Sequence, residues 1–182
     1  MQIHRICFIL IISVINLFLW NCGSDSIEYQ KALEEEAGIK PNQLANLIKV
    51  FFYENDWTKA ILTADRAEIY FEAQQTQLIG NVVVEYFSKF SGKRLSRLTA
   101  DKAIINDNTR DMMAEGNVIV WSDSAKVKLE TTKLYWSNER QIVHTNEFIK
   151  VTTPSEIING YGFESNLDLS YYKILKVSGI KQ

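Results

Sequence analysis

The chain has 182 residues, a formal net charge of −2, 46% hydrophobic residues and 12% aromatic residues. That length and apolar content fit one domain with its own core and exclude a disordered chain. The near-balanced charge argues against a nucleic-acid binder, which normally carries a basic excess, and two prolines and eight glycines leave no low-complexity linker.

Residues 1–22 read as a targeting segment. His4 and Arg5 precede a run, 6–20, that is apolar except for Ser13 and Asn16. As a helix it would rise about 22 Å, short of the ~30 Å hydrocarbon core but suited to the core of a signal peptide. The run closes in Leu19-Trp20-Asn21-Cys22-Gly23-Ser24. This resembles a lipoprotein signal, with a leucine three residues before a cysteine and small polar residues after it. Trp20 and Asn21 stand where small residues are usual. Three readings stay open: acylation of Cys22, an uncleaved helix as the only anchor, or a cleaved secretory signal. All three put the body outside the cytoplasm. Cys7 and Cys22 are the only cysteines, so the body from Gly23 onward holds neither a disulfide nor a cysteine-ligated metal. Residues 23–46 are polar and acidic, with Glu34-Glu35-Glu36, Gly38 and Pro41. They read as a solvated tether, in which 29–37 has the composition of a short helix.

Strands are predicted from 47 onward. A first hairpin turns at Glu54-Asn55-Asp56. A repeat follows: Leu62-Thr63-Ala64-Asp65-Arg66-Ala67 recurs as Leu98-Thr99-Ala100-Asp101-Lys102-Ala103, and Gly80-Asn81-Val82-Val83-Val84 as Gly116-Asn117-Val118-Ile119-Val120. The offset is 36 in both places (62 to 98, 80 to 116). A worn third copy spans 129–151, and a fragment lies at 159–164. Fixed-period self-similarity implies stacked units, none of which can bury its apolar face alone. Alternation in 126–131 and turn residues at 90–93, 106–109, 122–124 and 137–139 make each unit an antiparallel hairpin. After Pro154-Ser155, the segments 157–163 and 167–177 are predicted to finish the sheet. The fold class is therefore all-β, one antiparallel domain over 47–182.

Alternation about Lys150 turns Ile149 and Val151 to a dry face, and the repeat register adds Val118, Val120, Val82 and Val84. Leu62, Ala64, Leu98, Ala100 and Leu129 form a second row, and Ile69 and Ile105 a third. Such rows fill a closed core or await apolar cargo. Asp65 and Asp101 recur together with Arg66 and Lys102 and read as exposed strand charges rather than paired acids. Lys89, Lys93, Arg94 and Arg97 surround one hairpin tip, either as a solvated turn or as a phosphate-facing patch. His144 is the only histidine of the body, and no phosphate-cradling glycine loop occurs. Nothing supports an enzyme, a cofactor or a metal site.

The segments 62–67, 98–103, 116–120, 129–136 and 158–164, in this order and spacing, resemble the LptC family. Its members are periplasmic partners of the lipopolysaccharide ABC transporter, related to the LptA bridge protein. The resemblance covers 47–182 and the single apolar N-terminal segment. LptC proteins usually keep an uncleaved helix, and a segment ending in a cysteine departs from that. The resemblance implies a β-jellyroll with an open apolar groove that takes lipid A acyl chains. The groove would be lined by Leu62, Ala64, Ile69, Val82, Val84, Leu98, Ala100, Ile105, Val118, Val120, Leu129, Ile149 and Val151. It also implies strand-to-strand docking with the inner-membrane transporter and the bridge protein. Phe51 and Phe52 are then either a docking surface or a capped first turn of core, and Gly160 and Gly162 a docking element or a plain bulge. The C-terminal run 171–178, which contains Ile174, has no proline and reads as a pairing edge. The competing reading is a β-repeat structural or adhesion-type surface lipoprotein without lipid cargo.

The attachment is testable. Metabolic labelling with a fatty acid should mark the wild-type chain and not Cys22→Ser. Two unlabelled, membrane-bound proteins would instead identify an uncleaved helix, and two soluble exported ones a cleaved signal.

Overall fold

The computed structural model describes residues 40–181. Among them nine strands follow in order: β1 (Gln43–Glu54), β2 (Trp57–Tyr70), β3 (Gln75–Phe87), β4 (Arg94–Asn106), β5 (Met112–Ser122), β6 (Lys128–Ser137), β7 (Ile142–Thr152), β8 (Ile157–Ser165) and β9 (Tyr172–Lys181). Each pairs antiparallel with the next, so one sheet runs β1 to β9 with both outer strands unpaired on one side. The turns fall at the Asn-, Asp-, Ser- and Gly-rich tips. The targeting segment, Cys22 and the helix expected at 29–37 lie outside the described residues.

Two boundaries differ from the sequence reading. β1 starts at Gln43, because an edge strand is held by its backbone and needs no apolar run: Gln43 pairs with Ile69 and Leu44 with Glu68. Residues 167–171 are not strand. Their alternating leucines mimic one, but Leu169 has a φ of +53°. The Tyr171 amide donates to Asn166 Oδ1 at 3.1 Å, closing a loop.

The repeat contains a bend. Gly80 and Asn81 have φ of +77° and +44°, and Gly116 and Asn117 have +76° and +44°. Gly80 and Asn81 oppose a single residue, Asp101, since Ile79 faces Lys102 and Val82 faces Ala100. Gly116 and Asn117 oppose Thr132 in the same way, and Asn146 and Glu147 oppose Gly162. Each is a bulge, which bends and twists its strand. Register breaks recur at this mid-strand level in every pair from β2–β3 to β7–β8. They form a crease across the sheet. An aspartate secures two of them: Asn81 Nδ2 donates to Asp65 Oδ2 at 2.8 Å, and Asn117 Nδ2 to Asp101 Oδ2 at 2.7 Å. Glycine is required there, because a Cβ on Gly80 or Gly116 would sit 2.6 or 2.5 Å from those carboxylate oxygens.

The crease rolls the sheet onto itself. Turns 55–56, 88–93, 123–127 and 153–156 lie at one end of the strands; turns 71–74, 107–111, 138–141 and 166–171 lie at the other. Hydrogen bonds nevertheless join the two ends. Lys59 Nζ donates to Gln141 Oε1 at 3.3 Å, Ser96 Oγ to the Leu167 carbonyl at 2.7 Å, and Ser122 Oγ to the Asp168 carbonyl at 2.5 Å. The result is a β-jellyroll made from one sheet. Its core holds Leu62, Leu78, Leu129, Leu134, Ile149 and Phe163, all fully buried. Each such side chain contributes about 1.5–3 kcal/mol.

Gly116→Ala forces a left-handed alanine against Asp101 and should cost on the order of 2 kcal/mol, lowering Tm by roughly 6–10 °C. Asp101→Ala loses one hydrogen bond, about 1 kcal/mol. Because the Asp101 carboxylate is the obstacle, the double variant should be at least ~0.5 kcal/mol more stable than additivity gives. Simple additivity in thermal melts would show that the carboxylate does not set the glycine requirement.

Candidate functional site

The inner face carries an apolar ladder to which every strand contributes one rung: Val50, Leu62, Val84, Leu98, Val120, Leu129, Val151, Ile158 and Ile180 face one another in sequence. Beside it, Val82 faces Ala100, and Val118, Thr131, Ile149 and Gly160 form a second row. Beyond the crease, Ile69, Thr76, Ile105, Met112 and Trp136 form a third.

Leu62, Ala64, Val82, Ala100, Val118, Val120, Leu129, Ile149 and Val151 are buried in the core, and Val84, Leu98 and Ile105 pack against it. Ile69 is half-buried on the same side as buried Ala67. In this state the inner face is packed against itself, with Leu129, Ile149 and Val151 at 0% exposure. Val84 and Leu98 are half-buried, and the ladder is most exposed at its ends: Val50 is 40% exposed on β1 and Ile180 is 60% exposed on β9. The sequence rows missed Ala67, Leu78, Ala103, Ala114 and Leu134, which are equally buried. Ala64 and Ala67 both point inward although three residues apart, because the crease at Asp65 shifts the alternation by one. The Gly-Asn pairs were the available signal for that shift.

The edges differ. On β1, Phe51 and Phe52 are exposed and do not cap the core. Phe51 faces Ile61 and Phe52 faces Ala60, so successive residues turn to opposite faces. The Phe51 ring stacks on Tyr53 with centroids 6.3 Å apart, and Lys49 Nζ lies 5.1 Å from its centroid. On β9, Ile174 faces Phe163 and packs inward, while Leu175, Val177 and Ile180 are the exposed apolar residues. Gly160 and Gly162 are buried on β8, which is paired on both sides. A Cβ on Gly160 would lie 2.6 Å from the Lys176 carbonyl oxygen, and one on Gly162 2.8 Å from Leu175 Cδ1. Both glycines therefore serve the close approach of β9.

Charge is spent on the outer face and the tips. Arg94 Nε donates to Asp123 Oδ2 at 2.6 Å, and its Nη1 donates to Glu85 Oε1 at 2.8 Å. The Asp123 hydrogen bond, then that of Glu85, holds the guanidinium pKa above its ordinary value, and the same Arg94 bond lowers that of Asp123. Arg94 thus ties β4 to β3 and to the turn after β5, and leaves the basic cluster at that tip; Lys89, Lys93 and Arg97 remain exposed. Glu130, between Lys128 at 3.0 Å and Lys150 at 3.4 Å, also has a lowered pKa, chiefly through the Lys128 hydrogen bond. His144 stacks on Tyr135 with centroids 5.4 Å apart. Asp65 and Asp101 are exposed, but their partners are Asn81 and Asn117 rather than neighbouring cations.

Among curated proteins none matches the chain. A solved structure does: the crystal structure of LptH, the LptA-homologous periplasmic component of the lipopolysaccharide transport device of Pseudomonas aeruginosa, is 16% identical. The match covers 63% of this chain and 80% of that one, with a TM-score of 0.50. It is a likeness of fold, an antiparallel sheet rolled on itself. A family model described as "Lipopolysaccharide-assembly, LptC-related" matches residues 8–180. Since that match spans nearly the whole sequence, this chain belongs to the LptC-related family of lipopolysaccharide-assembly proteins.

Proposed function

We propose that this chain is a non-enzymatic, lipopolysaccharide-carrying component of an export machine. It receives lipopolysaccharide from an inner-membrane ABC transporter and passes it along its inner face to a periplasmic bridge protein of LptA type. It works in the periplasm, held to the inner membrane by lipidated Cys22 or by the N-terminal helix, with the following polar stretch as tether. The observation that carries this reading is the edge-to-edge ladder, buried or half-buried along its middle and exposed at both ends. Rows of Val, Leu and Ile offer an acyl chain about 0.8 kcal/mol for each methylene removed from water. The lining set is the one named from the sequence, from Leu62 through Val151. The unpaired sides of β1 and β9 offer backbone donors and acceptors to a neighbouring jellyroll, so a second ladder would continue the first. Phe51 and Phe52 mark the β1 junction and Val177 and Ile180 the β9 junction. Lipid passes between grooves without energy input here, and the transporter's ATP hydrolysis drives it.

One observation favours the competing reading, a β-repeat structural surface protein: the interior is filled by its own side chains. Photo-crosslinking separates the two. A crosslinking residue at Leu129 should capture lipopolysaccharide in cells, and one at outward-facing Glu130 should not; no capture at Leu129, or equal capture at both, contradicts the carrier. On the carrier reading, Val177→Asp with Ile180→Asp should weaken capture of the bridge protein at least about tenfold and leave the Leu129 crosslink in place. Undiminished capture would remove β9 as the junction.

A further inference from the structure

The loop of residues 166–171 joins β8 to β9 and by connectivity belongs to the end of the sheet that carries turns 71–74, 107–111 and 138–141. Its carbonyls are bonded at the opposite end. Ser96, near the start of β4, donates its hydroxyl to Leu167 O at 2.7 Å, and Ser122, the last residue of β5, donates to Asp168 O at 2.5 Å. The loop therefore crosses the seam along which the rolled sheet meets itself. Both serines are buried, and Leu169 is fully buried in the core at a left-handed φ of +53° that leucine rarely adopts.

The loop is otherwise bonded within itself and to the end of β8. Ser165 Oγ donates to Tyr171 O at 2.8 Å, Asn166 Nδ2 to Ser170 Oγ at 2.8 Å, and Ser170 Oγ to Asp168 Oδ1 at 2.7 Å. These bonds let it move as one body. Its hold across the seam is small: two serine hydroxyl bonds and one leucine side chain, with half-buried Leu167 beside it. Ser96 and Ser122 are two of only four buried polar residues among the described residues. A buried hydroxyl is favourable only when bonded; a loop carbonyl accepts from each of these two, and Ser122 Oγ is bonded on its own side as well, accepting from the Ala125 amide at 2.9 Å and lying 3.2 Å from Ser124 Oγ.

We propose that this loop is the latch of the lipid trough. Closed, it seats Leu169 in the core and seals the seam. Released, it frees the seam and exposes the inner face sideways. The proposal rests on the carrier reading and deepens it, because a packed interior needs a way to open. The cargo chemistry also requires a lateral route. An amphiphile with several acyl chains and a bulky charged sugar head cannot thread end-on beneath the loop, since its head would have to leave water. It enters sideways, chains inward and head outward, where the loop now lies.

The test uses the full-length chain in detergent with acyl-labelled fluorescent lipopolysaccharide as probe. The variants are Ser96→Ala with Ser122→Ala, which removes the hydroxyl bonds, and Leu169→Gly, which removes the plug and suits the left-handed φ. Hydrogen exchange over 166–171 reports loosening, and stopped-flow fluorescence reports uptake. Both variants should show faster exchange confined to the loop and at least fivefold faster uptake, with final occupancy within twofold of wild type. A loosened loop with an unchanged uptake rate would overturn the latch and leave the carrier standing. If no protein takes up the probe, the carrier reading fails and the latch falls with it. If the variants take it up and wild type does not, the latch is supported in its strongest form.

Discussion

A single sheet with one dry face and no covering layer must bury that face against itself, and everything else in this molecule follows from how it does so. Helices would normally supply the second layer; the described residues contain none. The chain instead places bulges at one level across the meander, two of them Gly-Asn pairs held by aspartates from the neighbouring strand. A bend repeated at the same height on successive strands becomes a crease, and the crease brings the two strand ends together. The small exposed polar groups Asp65, Asn81, Asp101 and Asn117 therefore decide whether Leu62, Leu129 and Ile149 meet a partner or water.

A sheet rolled in this way has two properties that a closed barrel lacks. Its first and last strands are unpaired, and its two ends meet at a seam held by side chains rather than by a backbone ladder. Unpaired edges usually carry protective prolines or inward charges. Here β1 exposes Leu44, Val50, Phe51 and Phe52, and β9 exposes Leu175, Val177 and Ile180, with lysines the only protection along 171–178. On the proposed reading, these edges pair with two neighbours of similar architecture. The seam is joined by the Ser96, Ser122 and Lys59–Gln141 hydrogen bonds and by buried Leu169. On the carrier reading, this closure is the part that opens to admit lipid.

Much of this was legible in the sequence because the fold is repetitive. The 36-residue offset, the turn tips and the alternation about Lys150 gave the hairpins, the order of strands and the inner rows around Leu62, Leu98 and Leu129. Two kinds of feature were not legible. Strict alternation from Ala64 turns Arg66 inward, whereas one bulge makes Ala67 the buried residue; parity does not survive an inserted residue. The loop at 166–171 was hidden for another reason. Leu167 and Leu169 alternate like a strand, and the serines that hold the loop lie 71 and 46 residues away. Contacts made by rolling depend on the whole sheet, and no local pattern encodes them. The edge roles show the same limit: Ile174 and Leu175 are equally apolar, yet one packs on Phe163 and the other is exposed.

The central claim is that the roll opens along its seam to admit acyl chains. The most direct measurement is a pulsed electron-spin distance between nitroxide residues introduced at positions 59 and 141, whose native side chains meet across the seam at 3.3 Å. On addition of stoichiometric lipopolysaccharide the distribution should shift to longer distances and broaden, and removal of the lipid should restore it. A distribution unchanged with lipopolysaccharide bound would contradict an opening roll.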